Sequence, residues 1–309
     1  MKKFSKIVGF TLLGILAIVL IFFGSIFVVN KVQLKSEAKK IELYGEAFKI
    51  DGENMRYKIT GKGDKTIVLL TGYMTASPVI DFKPLTEELE KNYQVITIEP
   101  FGYGLSDDTD KERTVENITK ETHSLLASLG IDRYVLMGHS LAGMYSLDYI
   151  NEYPNEVEAF IGIDSTLPAQ GGADDNQQDT IKLLSQSGLF RLFSKASPEM
   201  LNLPPVSSDL QKQYTYLSLK NIGSTATYNE AVAMPENFKK TASIKYPKDL
   251  PVLFLLATES TEPDPSWVTI HQDMIKESTK GQVDIIEGSH YLHHTKAKEI
   301  AEKTNNFLK

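Results

Sequence analysis

The chain has 309 residues, a formal net charge of −7 and no cysteine. The length suits a terminal segment plus one large domain. The missing thiols exclude disulfides, thiolate catalysis and cysteine-ligated metal centres, and the acidic balance, with no basic block in the folded part, speaks against a nucleic-acid partner.

From Ile7 to Val29 the chain reads IVGFTLLGILAIVLIFFGSIFVV, without one charge. About 20 such residues cross a hydrocarbon core of roughly 30 Å, so residues 1–30 are expected to be a transmembrane anchor with a short tail. A cleaved signal peptide has a shorter apolar region and a small-x-small site after it; here Asn30-Lys31-Val32-Gln33 follows. Lys2, Lys3 and Lys6 precede the span and Lys31, Lys35, Lys39 and Lys40 follow it, so charge does not fix the orientation. The short tail is most simply left in the cytoplasm. That gives a single-pass protein of the cell membrane with its large domain outside.

Residues 31–46 read as a charged, helical connector, and 47–309 as the domain. Ala47–Ile50 and Met55–Ile59 flank Asp51-Gly52, a hairpin signal. Short β-rich runs follow at Thr66–Leu70, Gln94–Ile98, Tyr134–Met137, Phe160–Ile163, Val252–Leu256 and Val283–Ile286. Helical patterns lie between them, at Phe82–Lys91 and from Thr114 to Gly130, and a terminal helix covers about Thr295–Leu308. Alternation of this kind predicts an α/β fold with a mostly parallel sheet and helices on both faces. It breaks once, at about 167–248, where short helices such as Thr180–Ser187 and Asp209–Asn221 predict an inserted helical cap.

YVLMGHSLAG, residues 134–143, places Ser140 at the end of a predicted strand between small residues. A strand–Gly-x-Ser-x-small–helix turn exposes the serine Oγ on a sharp bend, beyond the carboxyl end of the sheet where ligands bind. Gly138 and Ala142 supply the small flanks; alone, the pattern also fits an ordinary serine at a helix N-cap. With the elements around it, the sequence resembles the α/β-hydrolase fold family of serine hydrolases over residues 47–309. Ala142 stands where the commonest form has glycine.

The resemblance implies further roles. Thr71-Gly72-Tyr73 occupies the place of a His-Gly-x loop, so Tyr73 and Leu141 would give backbone N–H groups to an oxyanion hole. Glu99 to Asp107 (EPFGYGLSD) is similar to the family's Asp-x-x-Gly-x-Gly-x-Ser brace; with no third glycine opening a helix, it is not a phosphate loop. His290, in Gly288-Ser289-His290-Tyr291, stands where the family has its general base. His123 is expected to pack on its helix and His139 to serve as scaffold. His293 and His294 form an H-x₂-H-H pattern with His290, but no carboxylate partner is obvious in the sequence, and no metal is expected. The acid is open between two positions. After the later strand the expected place holds Ser260, with Glu259, Glu262 and Asp264 out of register. In haloalkane-dehalogenase-like relatives the acid follows the earlier strand, where this chain has Asp164. Asp164 is preferred, with Glu259 as the alternative.

These implications amount to a membrane-anchored serine hydrolase, without metal or organic cofactor, acting on a small-molecule carboxylic ester or acyl substrate through an acyl-serine. Leu189, Phe190, Leu192 and Phe193 either line an acyl pocket or form the cap's own core. A proline-type aminopeptidase or amidase is the alternative on the same fold. A non-catalytic binding or signalling module is the alternative of another class.

Overall fold

The computed structural model describes residues 2–171 and 177–309. Met1 of the expected anchor, residues 172–176 of the expected cap, and the side chains of Lys2 and Lys3 lie outside the described residues.

The chain opens with α1 (Lys2–Glu37). Its stretch from Phe4 is long and apolar enough to cross a membrane, and none of its most apolar window is buried. The connector expected at 31–46 is not a separate element. No Gly or Pro stands between Gly24 and Gly45, and KVQLKSE carries the same helix on to Glu37. A turn and an extended stretch then lead to the sheet.

Strands β1 (Glu46–Ile50) and β2 (Glu53–Thr60) form the expected hairpin. Its two turn residues, Asp51 and Gly52, have φ of 52° and 100°, the left-handed sign that a tight hairpin turn requires. Then come β3 (Thr66–Leu70), α2 (Pro78–Asp81), α3 (Lys83–Leu89), β4 (Gln94–Glu99), α4 (Val115–Ser128), β5 (Tyr134–His139), α5 (Ala142–Glu152) and β6 (Val157–Ile163). Helices α6 (Gln178–Ser187), α7 (Leu189–Ala196), α8 (Ser208–Asn221) and α9 (Thr225–Thr241) follow before the chain returns to the sheet. The last elements are β7 (Val252–Ala257), α10 (Thr258–Thr261), α11 (Ser266–Ile275), β8 (Gly281–Ile286), α12 (Leu292–Thr295) and α13 (Ala297–Phe307).

The eight strands run in the order β1-β2-β4-β3-β5-β6-β7-β8, antiparallel at β1-β2-β4 and parallel from β4 onward. Strands β3, β5 and β7 are buried along their whole length, as continuous apolar runs must be when helices cover both faces. Val68, Leu136, Phe160 and Phe254 face one core with Leu125 and Leu147. Ile67, Leu69, Val135 and Leu253 face the other with Leu85, Leu89, Ile300 and Phe307. Truncating one of these aromatics, such as the fully buried Phe254, would cost about 3–5 kcal/mol. The sheet order reverses between β3 and β5, because β4 and β5 lie on opposite sides of β3. A crevice at that reversal, beyond the carboxyl ends of the strands, is where such sheets bind ligands.

Candidate active site

Ser140 leaves β5 with φ at 52°, a left-handed backbone that a residue with a side chain adopts only when its surroundings enforce it. They do so through three hydrogen bonds. Ser140 N donates to Ile163 O (3.3 Å), and its carbonyl accepts from Gly143 N (2.9 Å) and Thr166 N (2.8 Å). The small neighbours are a steric condition. A Cβ on Gly138 would lie 3.2 Å from the Ala142 backbone, and one on Gly143 would lie 2.6 Å from Thr166 O. Gly72, across the switch point at the end of β3, comes as close: a Cβ there would lie 2.8 Å from Ser140 Cβ. Thus Gly143 and Gly72 share the steric role expected of Gly138 and Ala142.

Of the two candidate acids, the structure brings Asp164 to the ring of His290: Asp164 Oδ2 lies 2.6 Å from His290 Nδ1. Asp164 follows β6, is fully buried, and also has positive φ, 41°. Its Oδ1 accepts from Ala257 N (3.0 Å) and Trp267 Nε1 (3.2 Å), and its Oδ2 from Ser260 Oγ (2.5 Å). A carboxylate so surrounded by donors acts as acceptor, so His290 Nδ1 carries the hydrogen, and in the neutral ring the lone pair is at Nε2. Ser260, at the position of the usual acid, is a donor to the acid in its other place. Glu259 is exposed and meets the backbone instead, its Oε2 accepting from His290 N (2.5 Å). Sequence reasoning missed Ser260 and Trp267 as partners; the serine in an acid's position was the available signal.

Ser140 and His290 lie at the same end of the sheet. The ring of His139, beside Ser140, stands 4.6 Å from that of His290, centroid to centroid. Among the described residues no hydrogen bond joins Ser140 Oγ to His290; catalytic contacts are often looser before substrate binds. Buried His139 supports the base loop by donating from Nε2 to His290 O (3.0 Å). Burial, then the neighbouring His293 and His290, push its pKa well below the ordinary histidine value, so it stays neutral. His123 stacks on Tyr153 with centroids 3.8 Å apart and faces Glu156.

The backbone N–H groups of Tyr73 and Leu141 have no protein acceptor among the described residues. Leu141 stands at the start of α5, where helix N–H groups are free by geometry. The turn bearing Tyr73 is held from the far side. Met74, at φ 63°, donates its N–H to Tyr103 Oη (3.2 Å). That hydroxyl donates to Glu230 on α9 (2.7 Å), and Tyr145 donates to the same carboxyl (2.7 Å). Glu230 is buried, and burial raises its pKa. Its place beside the site was not readable from sequence. Glu99 is the brace that the sequence predicts: buried, it accepts from Tyr44 Oη, Ser77 Oγ and Leu105 N at 2.8–2.9 Å.

The carboxylate partner of the H-x₂-H-H pattern, distant in sequence, is Asp81, at the end of α2. His293 Nε2 lies 2.7 Å from Asp81 Oδ2 and His294 Nε2 2.9 Å from Oδ1, and Tyr214 Oη donates to Oδ1 (3.2 Å). Their three ligand-capable atoms fall within 4.8 Å of one another, and His290 is not among them. Burial alone would raise the Asp81 pKa, but the two imidazoles hold it below the usual range.

A cavity of about 310 Å³ lies between the loops at 73–76 and Gly102 and the segment α7–α9; Tyr73 and Tyr291 link it to the site, while Ser140 and His290 are not among its lining residues. Tyr73, Phe190, Met200, Asn202, Asn221 and Tyr291 are among its lining residues, and among the described residues no charged side chain is. Of the four apolar residues expected in an acyl pocket or a cap core, only Phe190 lines it. Leu192 faces α1, and both Leu192 and Phe193 are 43% exposed, so neither belongs to a closed core.

Sheet order, the strained turn at Ser140 and the crossing at β3 define the fold of the α/β hydrolases. The family profile described as alpha/beta hydrolase fold matches residues 65–201. The uncharacterized protein YbdG of Bacillus subtilis is 25% identical over 264 residues, 82% of this chain and 81% of that protein. A putative carbamate hydrolase, RutD of Cronobacter turicensis, shares 35% identity over 80 residues, 26% of this chain and 30% of that enzyme. Among solved structures, a bromoperoxidase from Bacillus anthracis superposes with a TM-score of 0.68 at 20% identity, covering 86% of this chain and 99% of that one. A thermophilic esterase from Thermogutta terrifontis superposes with a TM-score of 0.64 at 18% identity, covering 85% and 96%.

Proposed function

We propose that the protein is a serine hydrolase that cleaves a carboxylic ester through an acyl-serine intermediate. We read 47–309 as its catalytic domain, about 167–248 as the cap, and α1 as a single-pass anchor with that domain outside the cytoplasm. The observation that carries the reading is the Asp164–His290 contact of 2.6 Å beside a serine on a strained turn. Ser140 Oγ attacks the ester carbon as His290 Nε2 takes its proton, and Asp164 stabilises the resulting imidazolium. The Tyr73 and Leu141 N–H groups stabilise the oxyanion, each by about 3 kcal/mol. The intermediate collapses, His290 gives its proton to the departing alkoxide, and a water repeats the sequence on the acyl-serine.

An amide or carbamate would use the same groups, and the partial similarity to a putative carbamate hydrolase keeps that reading in view. Parallel turnover of matched ester, carbamate and anilide substrates ranks the three. A fluorophosphonate probe tests the mechanism. It should label the wild-type protein at Ser140 and leave Ser140→Ala unlabelled. Labelling of another serine, or none in a folded wild-type protein, would refute the reading.

A further inference from the structure

The cap and the anchor are bound to each other. Arg191 on α7, 5% exposed, donates from Nε to Asn30 Oδ1 (2.8 Å) and from its two terminal nitrogens to the Glu37 carboxylate (2.6 and 2.7 Å). Asn30 Nδ2 reaches Ser185 O at 3.4 Å. The fit allows no side chain at Gly188: a Cβ there would lie 2.7 Å from Asn30 Cβ and 3.1 Å from Ile26 O. These contacts fix α7 along α1 from Ile26 to Glu37. An apolar groove between the two continues down to Phe22. The apolar run of α1 ends at Val29. At 1.5 Å per residue, Ile26 lies about 4.5 Å and Phe22 about 10 Å inside that end.

If α1 spans a bilayer, α7 is therefore held at the depth of the headgroups and the first acyl carbons. Its surface suits that depth. Outside α1, the exposed large hydrophobic residues among those described are Leu43, Ile59, Leu183, Leu192, Phe193, Met200, Val232 and Ile285. Four of them fall between 183 and 200, with exposed Lys195 beside them to meet phosphate groups. The opposite side of the same segment faces the cavity, which Phe190 and Met200 line together with Tyr73 of the expected oxyanion loop and Tyr291, the neighbour of His290. Met200 is at once a cavity residue and 45% exposed, so the rim of the cavity is apolar.

We propose that α7 is a membrane-interface helix seated by its Arg191 clamp on α1, and that the substrate of Ser140 is a neutral lipid ester entering the cavity from the bilayer. The proposal rests on reading α1 as a span and Ser140 as the nucleophile. The chain's own anchor puts the bilayer beside this apolar face, and a lining without charge among the described residues suits a neutral ester group.

The natural chain has no cysteine, so single labels report one site each. The full-length protein, carrying Leu183→Cys, Phe193→Cys or Val232→Cys with a polarity-sensitive fluorophore, is reconstituted into phosphatidylcholine vesicles. Lipids bearing a shallow quencher should quench the labels at 183 and 193 but not at 232. In the same vesicles Leu183→Asp with Phe193→Asp should lower turnover of embedded monoacylglycerol at least tenfold and leave a soluble short-chain ester unaffected. Unquenched labels in an active, vesicle-bound protein overturn the proposal, as does shielding of those labels by a second copy at high protein density. Equal loss on both esters overturns it too. Absence of the protein from the vesicle pellet refutes the span, and a wild-type protein inert on the soluble ester refutes the nucleophile; either removes the proposal for a distinguishable reason.

Discussion

Replacing Asp164 by Asn isolates the orientation of His290. Asp164 accepts on Oδ1 from two N–H groups, of Ala257 and Trp267, and on Oδ2 from the Ser260 hydroxyl and His290 Nδ1. An amide offers one oxygen and one NH₂. With its NH₂ at the Oδ1 position it would confront two buried donors that have no lone pair, at about 1–3 kcal/mol each. With its NH₂ at the Oδ2 position, Ser260 can turn its hydroxyl and accept, and His290 can accept at Nδ1 in its other tautomer. The second arrangement wins, and it moves the ring proton to Nε2, where a base must have a lone pair. The expected result is a folded protein whose kcat on a soluble ester falls about 10⁴-fold, or ~5.5 kcal/mol of transition-state stabilisation. Glu259→Gln should change kcat little, because an amide oxygen can still accept from His290 N. A chromogenic ester assay with a circular-dichroism melt reads both. A folded Asp164→Asn protein within about tenfold of wild-type kcat would sink the reasoning, as would a larger loss in Glu259→Gln.

Glu230→Gln should lower kcat about tenfold with little change in KM, because the link from α9 through Tyr103 to Met74 positions the Tyr73 turn; equal kcat at equal Tm would refute that link. Arg191→Ala removes a clamp in which the side chains of Arg191 and Glu37 are 6% and 15% exposed, and should cost about 3 kcal/mol. Limited proteolysis between 178 and 201 should then accelerate, and an unchanged cleavage rate would count against the clamp. Burial holds His139 and His293 below the ordinary histidine value, so below about pH 6.5 the unfolded chain binds more protons than the folded one. Stability should fall as pH drops from there toward the folded values. His139→Gln keeps a donor for His290 O without the titration, so its Tm should fall less steeply between pH 7 and 5 than the wild type's; an equal or steeper fall would exclude His139 as a contributor.

The sheet was legible because its strands are short apolar runs with breaks between them, and each of the six runs expected after the hairpin lies within a strand. The placements of Ser140 and His290 were legible because they depend on local order: strand, turn, helix for one, and a loop before the terminal helix for the other. What was not legible depends on separations that no local pattern records. Asp81 meets His293 across 212 residues, and Glu230 meets Tyr103 across 127. The contact between Arg191 and Glu37 was hidden for another reason. The charges after Val29 read as a change of element, yet a helix ends where its backbone is broken, and nothing in KVQLKSE breaks it.

The choice between two acid positions has a simple steric origin. His290 Nδ1 needs one carboxylate within hydrogen-bond reach, and the parallel strands β6 and β7 end side by side, so an acid after either can supply it. The two positions differ in what must surround the charge. After β6, Asp164 sits beneath the junction of β7 and α10 and collects the Ala257 N–H and the Ser260 hydroxyl from it, while Trp267 closes the far side. A carboxylate at 260 would remove a donor and put a second negative charge beside the first. One acid and one donor hydroxyl therefore go together, whichever strand carries the acid. Reinstating the other arrangement takes both changes at once, Asp164→Ser with Ser260→Asp. Each single substitution should lose most activity, Asp164→Ser for want of an acid and Ser260→Asp because paired carboxylates hold a proton between them. Recovery of part of kcat in the double variant would support this account. A double variant no better than the worse single one would show that the position of the acid, and not only its partners, is fixed by the fold.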